Sequence, residues 1–184
     1  MLRPQDILVS LKFLCPSTEA RSSYASLAES IGMSASETHA AVRRAVRSGL
    51  LIPSSYRPDS LFDTRPAIPA LSELLHYGVR YFLPAETGPF ALGIPTAASA
   101  PPLSSLLNPS DAPPHVWPHP RGSIRGLTVE PLYPSAPEAA LRDPVLAEWL
   151  ALTDALRLHT GRIAELAKNE VRSRLRDFTH AAAA

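Results

Sequence analysis

Apolar positions recur at helical spacing over residues 3–83 and again over residues 143–178, with a proline-rich stretch between them. In residues 4–15, Ile7, Leu8, Leu11 and Leu14 share one face, which predicts a first helix. Tyr24, Leu27, Ala28 and Ile31 form the apolar face of a second helix over residues 23–32, with Gly32 as its stop. A third helix is expected from Ser34 to about Ser48. It buries Thr38, Ala41, Val42 and Ala45 and ends at Gly49. Ser34 and Glu37 have the spacing of a capping box, in which each side chain satisfies the other residue's free backbone N–H. Leu50-Leu51-Ile52 then reads as a short strand, Pro53–Ser60 as a polar turn, and Leu61-Phe62 as the returning strand. Ala70–Phe82 (ALSELLHYGVRYF) continues the helical pattern.

The C-terminal zone opens on Asp143-Pro144, an N-cap followed by proline at the first helical position. Val145, Trp149, Leu152 and Leu156 follow at helical spacing, Thr160-Gly161 breaks the helix, and Ile163, Leu166, Ala167, Val171, Leu175 and Phe178 carry a second stripe. Between these zones, residues 84–144 hold 14 of the 20 prolines. They also hold Phe90, Leu92, Ile94, Trp117, Ile124, Leu127 and Val129, too many apolar groups to leave in water. An ordered, loop-rich layer with one or two short strands near Ile124–Glu130 is expected, and disorder is the alternative. The fold class is therefore α+β, mainly α. Three segments are expected: residues 1–68 as an N-terminal domain, 69–142 as a connecting helix and proline-rich segment, and 143–180 as a helical close.

Helices two and three, joined by a tight glycine-containing turn and kept close by Ala28 and Ala41, describe a helix-turn-helix unit. Through the segment YASLAESIGMSASETHAAVRRAVRSGLL, the stretch Arg3–Phe62 resembles the winged helix-turn-helix regulators, loosely those of the MarR type. The resemblance covers about a third of the chain, and the remainder resembles no family in the same way. It implies that the third helix enters the major groove of double-stranded DNA while the wing touches the backbone. On that reading Ser36, Glu37, His39 and Ala40 lie where base edges are met, and Arg43, Arg44 and Arg47 where phosphates are gripped, with Arg57 at the wing tip. The departures are the absence of lysine from the third helix and the acidic Glu37 at its entrance. Glu37 is accounted for by the capping box or by accepting from a cytosine amino group. A solvated helix face with local ion pairs is the competing reading of the arginines.

Charge changes this picture little. The net charge is +1, and the Lys/Arg to Asp/Glu balance is seven to five over residues 1–60, four to six over 61–140 and seven to six over 141–184. Any nucleic-acid surface is then a local patch. The single Cys15, set among Phe13, Leu14 and Pro16, suits a reducing compartment and a buried position. No signal-peptide pattern or membrane-length apolar run is present, so a cytoplasmic protein is expected.

Other chemistry finds little support. His115 and His119 sit in PPHVWPHP, where prolines forbid a helical ligand pair, and no metal is expected. Pro120-Arg121-Gly122 has part of a minor-groove hook but lacks the second arginine, so a turn with an exposed arginine is the simpler reading. Trp117 and Trp149 are expected in the core. No phosphate-binding glycine loop, nucleophile elbow or metalloprotease motif occurs, so neither an enzyme nor a cofactor is expected.

The leading expectation is a homodimeric transcription regulator, paired through Ala70–Phe82 or the C-terminal helices. The alternative is a protein-interaction module, such as an antitoxin, docking an operon partner through residues 84–144. The two are compatible in a repressor of its own operon that also binds that operon's product. A ligand pocket between the wing-following helix and the C-terminal lobe is a third possibility, with no residue set to identify its ligand.

Overall fold

The computed structural model describes residues 1–16, 19–53, 61, 63–108 and 112–183. The chain is mainly helical with a small sheet. Three helices come first: α1 (Pro4–Lys12), α2 (Tyr24–Ile31) and α3 (Ala35–Arg47). Ser23 caps α2 by accepting from the Ser26 N–H, and Gly32 ends it at φ 67°, a left-handed position that glycine takes without steric cost. A second requirement meets there, because a Cβ on Gly32 would come within 3.0 Å of the Ser135 Cβ. α3 buries Thr38, Ala41, Val42 and Ala45, the four residues its sequence pattern assigns to the core.

Strands β1 (Leu51–Ile52) and β2 (Arg65–Pro66) form a two-stranded antiparallel ribbon with Leu51 opposite Pro66 and Ile52 opposite Arg65. The return therefore lies later than the expected Leu61-Phe62. Leu61 is instead buried in the hydrophobic core, and Phe62 lies outside the described residues. Pro66 has no N–H to give a ladder, which is tolerated at this two-residue edge and hides the strand from its sequence. A helical segment follows in three pieces: α4 (Ile68–Glu73), a π-helical turn (Leu74–Gly78) and α5 (Val79–Phe82). Leu71, Leu75 and Val79 are buried against the C-terminal helices.

The described residues of the proline-rich zone are ordered and more regular than their sequence suggests. They carry β3 (Thr87–Pro95), β4 (His115–Pro118) and β5 (Ile124–Val129), with the short helix α6 (Leu103–Leu106) between β3 and β4. β3 pairs antiparallel with both β4 and β5, and β4 pairs parallel with β5, so the three strands close on one another. Such tight closure needs glycine at the crossings: a Cβ at Gly93 would stand 2.2 Å from the Trp117 carbonyl oxygen, and one at Gly126 2.2 Å from that of Pro114. Only β5 was expected. Pro89 sits in the register shift of β3, and Pro95 and Pro118 close their strands, positions where a missing N–H breaks little.

Helix α7 (Ala136–Arg142), with Pro137 in its first turn, is also unforeseen in that zone. α8 (Pro144–Leu158) starts as expected: the Asp143 carboxylate accepts from the Val145 and Leu146 N–H groups. α9 (Gly161–Ala183) follows the break at Gly161, which lies at φ 61°. One hydrophobic core runs from α1 through α3 and the π turn to α8 and α9, and it includes Trp117 and Trp149.

A buried ionic knot ties the layers together. Asp154 accepts from the Trp117 Nε1–H at 2.6 Å, the Thr96 hydroxyl at 2.9 Å and Arg157 Nη1 at 2.6 Å. Arg157 also donates to the carbonyls of Leu83 and Glu130, joining the end of α5 and the end of β5 to α8. Burial pushes the Asp154 carboxyl up, against the pull of Arg157 and the two neutral donors.

Candidate nucleic-acid interface

The surroundings of α3 divide its candidate residues into three groups. At about 100° per residue, Ser36, Ala40, Arg43 and Arg47 fall within one narrow stripe opposite the buried face. Ser36, Arg43 and Arg47 are exposed and Ala40 half-buried, and neither arginine has a carboxylate partner among the described residues. Glu37 and Arg44 fall about a quarter-turn away, on the flank facing α1. His39 falls on the other flank, where its ring meets Tyr24 of α2 edge-on with ring centres 4.6 Å apart.

The α1 flank is committed to internal contacts. Asp6 is wholly buried, and its carboxylate takes Nε and Nη2 of Arg44 in a two-point pair, with Nη2–Oδ1 at 2.8 Å and Nε–Oδ1 at 3.0 Å. The same carboxylate accepts from the Arg3 backbone N–H at 2.9 Å. An arginine held through its Nε–Nη2 edge is drawn toward α1 and away from the outward stripe, so Arg44 leaves the phosphate-gripping set.

Glu37 departs from its expected role in a similar way. Its backbone N–H donates to Ser34 Oγ at 3.2 Å, which completes one half of the capping box. Its carboxylate turns away, accepting from the Tyr133 hydroxyl at 2.7 Å and from Gln5 Nε2 at 3.3 Å. That hydrogen bond, with burial, pushes the Tyr133 phenol up to about 12, which keeps it a donor. Tyr133 and Gln5 give the carboxylate two partners within the chain, so it has less need of a base.

The turn between α2 and α3 is clasped from the C-terminal side. Ser135 Oγ donates to the Ile31 carbonyl at 2.6 Å, and Arg142 Nη1 donates to that of Glu29 at 3.1 Å. Lys12 of α1 pairs with Asp143 at 2.6 Å. Burial acts to raise the Asp143 carboxyl, but Lys12 and the two backbone N–H groups outweigh it and hold it below its ordinary range. Cys15 beside this pair is buried, and burial pushes its thiol up, away from reactivity. α3 is thereby held directly from α1 and Tyr133, and the end of α2 from Ser135 and α7.

The remaining candidates lie apart from the stripe. Arg57 lies outside the described residues. Arg121 is held by both carboxylate oxygens of Glu138, which also accepts from Arg142 and lies 3.3 Å from His119, so the hook-like turn is an ion-paired surface corner. The described residues include no cluster of three or more His, Cys, Asp or Glu side chains able to hold a metal, and no helix among them is long and apolar enough to cross a membrane. Comparison with protein-family models, curated proteins and solved structures returns no match.

Tyr133, Gln5 and Asp6 are the partners that sequence reasoning missed. A signal for Asp6 was present. Ile7, Leu8, Val9, Leu11, Phe13 and Leu14 leave α1 no polar face, and a helix buried all round must pair its charged residues.

Proposed function

We propose that the chain is a double-stranded-DNA-binding transcription regulator of winged helix-turn-helix type, with the outward stripe of α3 set into the major groove. The observation that carries this reading is the stripe itself. Ser36, Ala40, Arg43 and Arg47 line up on one side of a helix whose other sides are held by α1, α2 and the core. Small residues lead, where close approach to base edges needs room, and two unpaired arginines trail, where phosphates lie. The β1–β2 ribbon stands after α3 where a wing would stand. The contact set proposed is narrower than the one read from sequence: Ser36, His39, Ala40, Arg43 and Arg47, with Glu37 and Arg44 as the frame that aims them.

Pairing of two copies belongs to this reading, since a two-fold site doubles a contact set this small. Leu71, Leu75 and Val79 and the stripe of α9 are spent inside the monomer, whereas Tyr77, Tyr81 and Phe82 stay exposed and are the part of residues 70–82 left for pairing. Light scattering at micromolar concentration measures the state in solution, and a monomer there limits the reading to single half-sites.

One observation favours the alternative of a docked protein partner. Phe90 and Leu92 point outward from β3, where exposed apolar side chains serve contact better than solubility. The experiment that separates the two is binding to the DNA upstream of the protein's own gene against a scrambled duplex. Tighter binding to the native duplex supports the regulator. Equal, weak binding to both sinks it and leaves the protein partner.

A further inference from the structure

The π turn lines a small cavity of about 210 Å³ between the α4–α5 segment and helices α8 and α9. Its polar lining is cationic and aromatic: His76, Tyr77, Arg80, Tyr81, His159 and Lys168. Arg80 is exposed, lies 5.6 Å from the Tyr81 ring centre and has no carboxylate partner among the described residues. Lys168 is paired with Glu165 at 2.8 Å. His76 is fixed as a strut, with Nδ1 2.7 Å from the Ser72 carbonyl and Nε2 3.1 Å from that of Lys168. His159 differs from these neighbours. Its Nε2 has no accessible surface and no hydrogen-bond partner among the described residues, so that atom lies behind the cavity wall, out of an occupant's reach.

Two further features mark this place. A π turn is rarer and less favourable than the α-helix around it and is found disproportionately at functional sites. Here it allows His76 to reach across to the α9 backbone while Tyr77 and Tyr81 remain 70% and 80% exposed at the cavity rim. The volume lies below the roughly 300–1,000 Å³ of drug-sized sites, so its occupant is small.

We propose that this cavity binds a small organic carboxylate, with the Arg80 guanidinium as counter-ion and the Tyr77 and Tyr81 rings against its apolar body. Arginine's planar fork matches a carboxylate in two-point contact, and the aromatic rim favours an acid with an apolar body. A phosphate is a poorer fit, because a dianion would meet one cation without a carboxylate partner among the described lining residues and would leave the aromatic rim unused. The site stands on the cavity and its lining, independently of whether α3 binds DNA.

The test uses the full chain, with benzoate as probe, benzamide as its uncharged isostere and inorganic phosphate as competing anion. Calorimetric titration should show saturable binding of benzoate and a matching rise in unfolding temperature. Benzamide should bind at least tenfold more weakly, and so should benzoate to the Arg80→Gln variant. Arg80 is exposed, so that variant should keep the circular dichroism and melting of the parent. Absence of saturable benzoate binding, equal binding of benzamide, or undiminished affinity in Arg80→Gln would overturn the proposal. Phosphate binding more tightly than benzoate would overturn the carboxylate assignment.

Discussion

Arg43 and Arg44 are neighbours in sequence with opposite surroundings, so their removal should have opposite consequences. Arg44→Met leaves the buried Asp6 carboxylate with only the Arg3 N–H, and loss of one partner of a buried pair costs about 3 kcal/mol or more. Urea unfolding should show that loss, and Asp6→Leu combined with Arg44→Met should recover much of it. Arg43→Ala should change stability by no more than about 0.5 kcal/mol, as expected for an exposed helix position. Destabilisation of equal size in both variants would contradict this division of roles. The His115 and His159 rings meet with centres 5.1 Å apart. Burial lowers the pKa of both, that of His159 to about 4 with His115 contributing. A depressed folded value means that the unfolded chain takes the proton first. Stability is therefore complete above the ordinary value near 6.5 and falls as pH drops from there towards 4. Melting temperature measured from pH 7.5 to 4.5 should fall through that window, and less steeply in a His159→Gln variant.

Helices α2, α3, α8 and α9 were legible in the sequence because each combines a 3.6-residue stripe with local punctuation: Ser23 and Gly32 around α2, Ser34 before α3, Asp143-Pro144 before α8 and Gly161 before α9. Of the strands of the proline-rich zone, only β5 was. Their closure depends on backbones crossing at Gly93 and Gly126, a long-range requirement that no local alternation records. In the same way, the outward stripe of α3 could be read as a pattern, but the withdrawal of Glu37 and Arg44 from it depends on Tyr133, Gln5 and Asp6, as far as 96 residues away. The element-scale prediction concerns that closure. Gly93→Ala puts a methyl group into the Trp117 backbone, and overpacking of this kind typically costs about 1–3 kcal/mol. Near-UV circular dichroism should show the environment of Trp117 disturbed. An unchanged spectrum and melting temperature would mean that the strands do not cross there.

At the scale of the molecule, the segment around α7 clasps the end of α2 and the start of α3 through Ser135, Arg142 and Tyr133, and Asp143 ties α1 to the start of α8. A rigid α3 with a bare outward stripe is what groove recognition needs, since affinity rises when little order must be created on binding. The central claim is that this stripe touches phosphate through Arg43 and Arg47. The direct measurement is fluorescence anisotropy of a labelled duplex from low to physiological salt, for the parent and for an Arg43→Ala/Arg47→Ala variant. With both arginines on phosphate, affinity falls steeply with salt in the parent and the log–log slope is shallower by about two units in the variant, one for each lost phosphate contact. Equal slopes for the two proteins, or no binding by the parent at low salt, would contradict it.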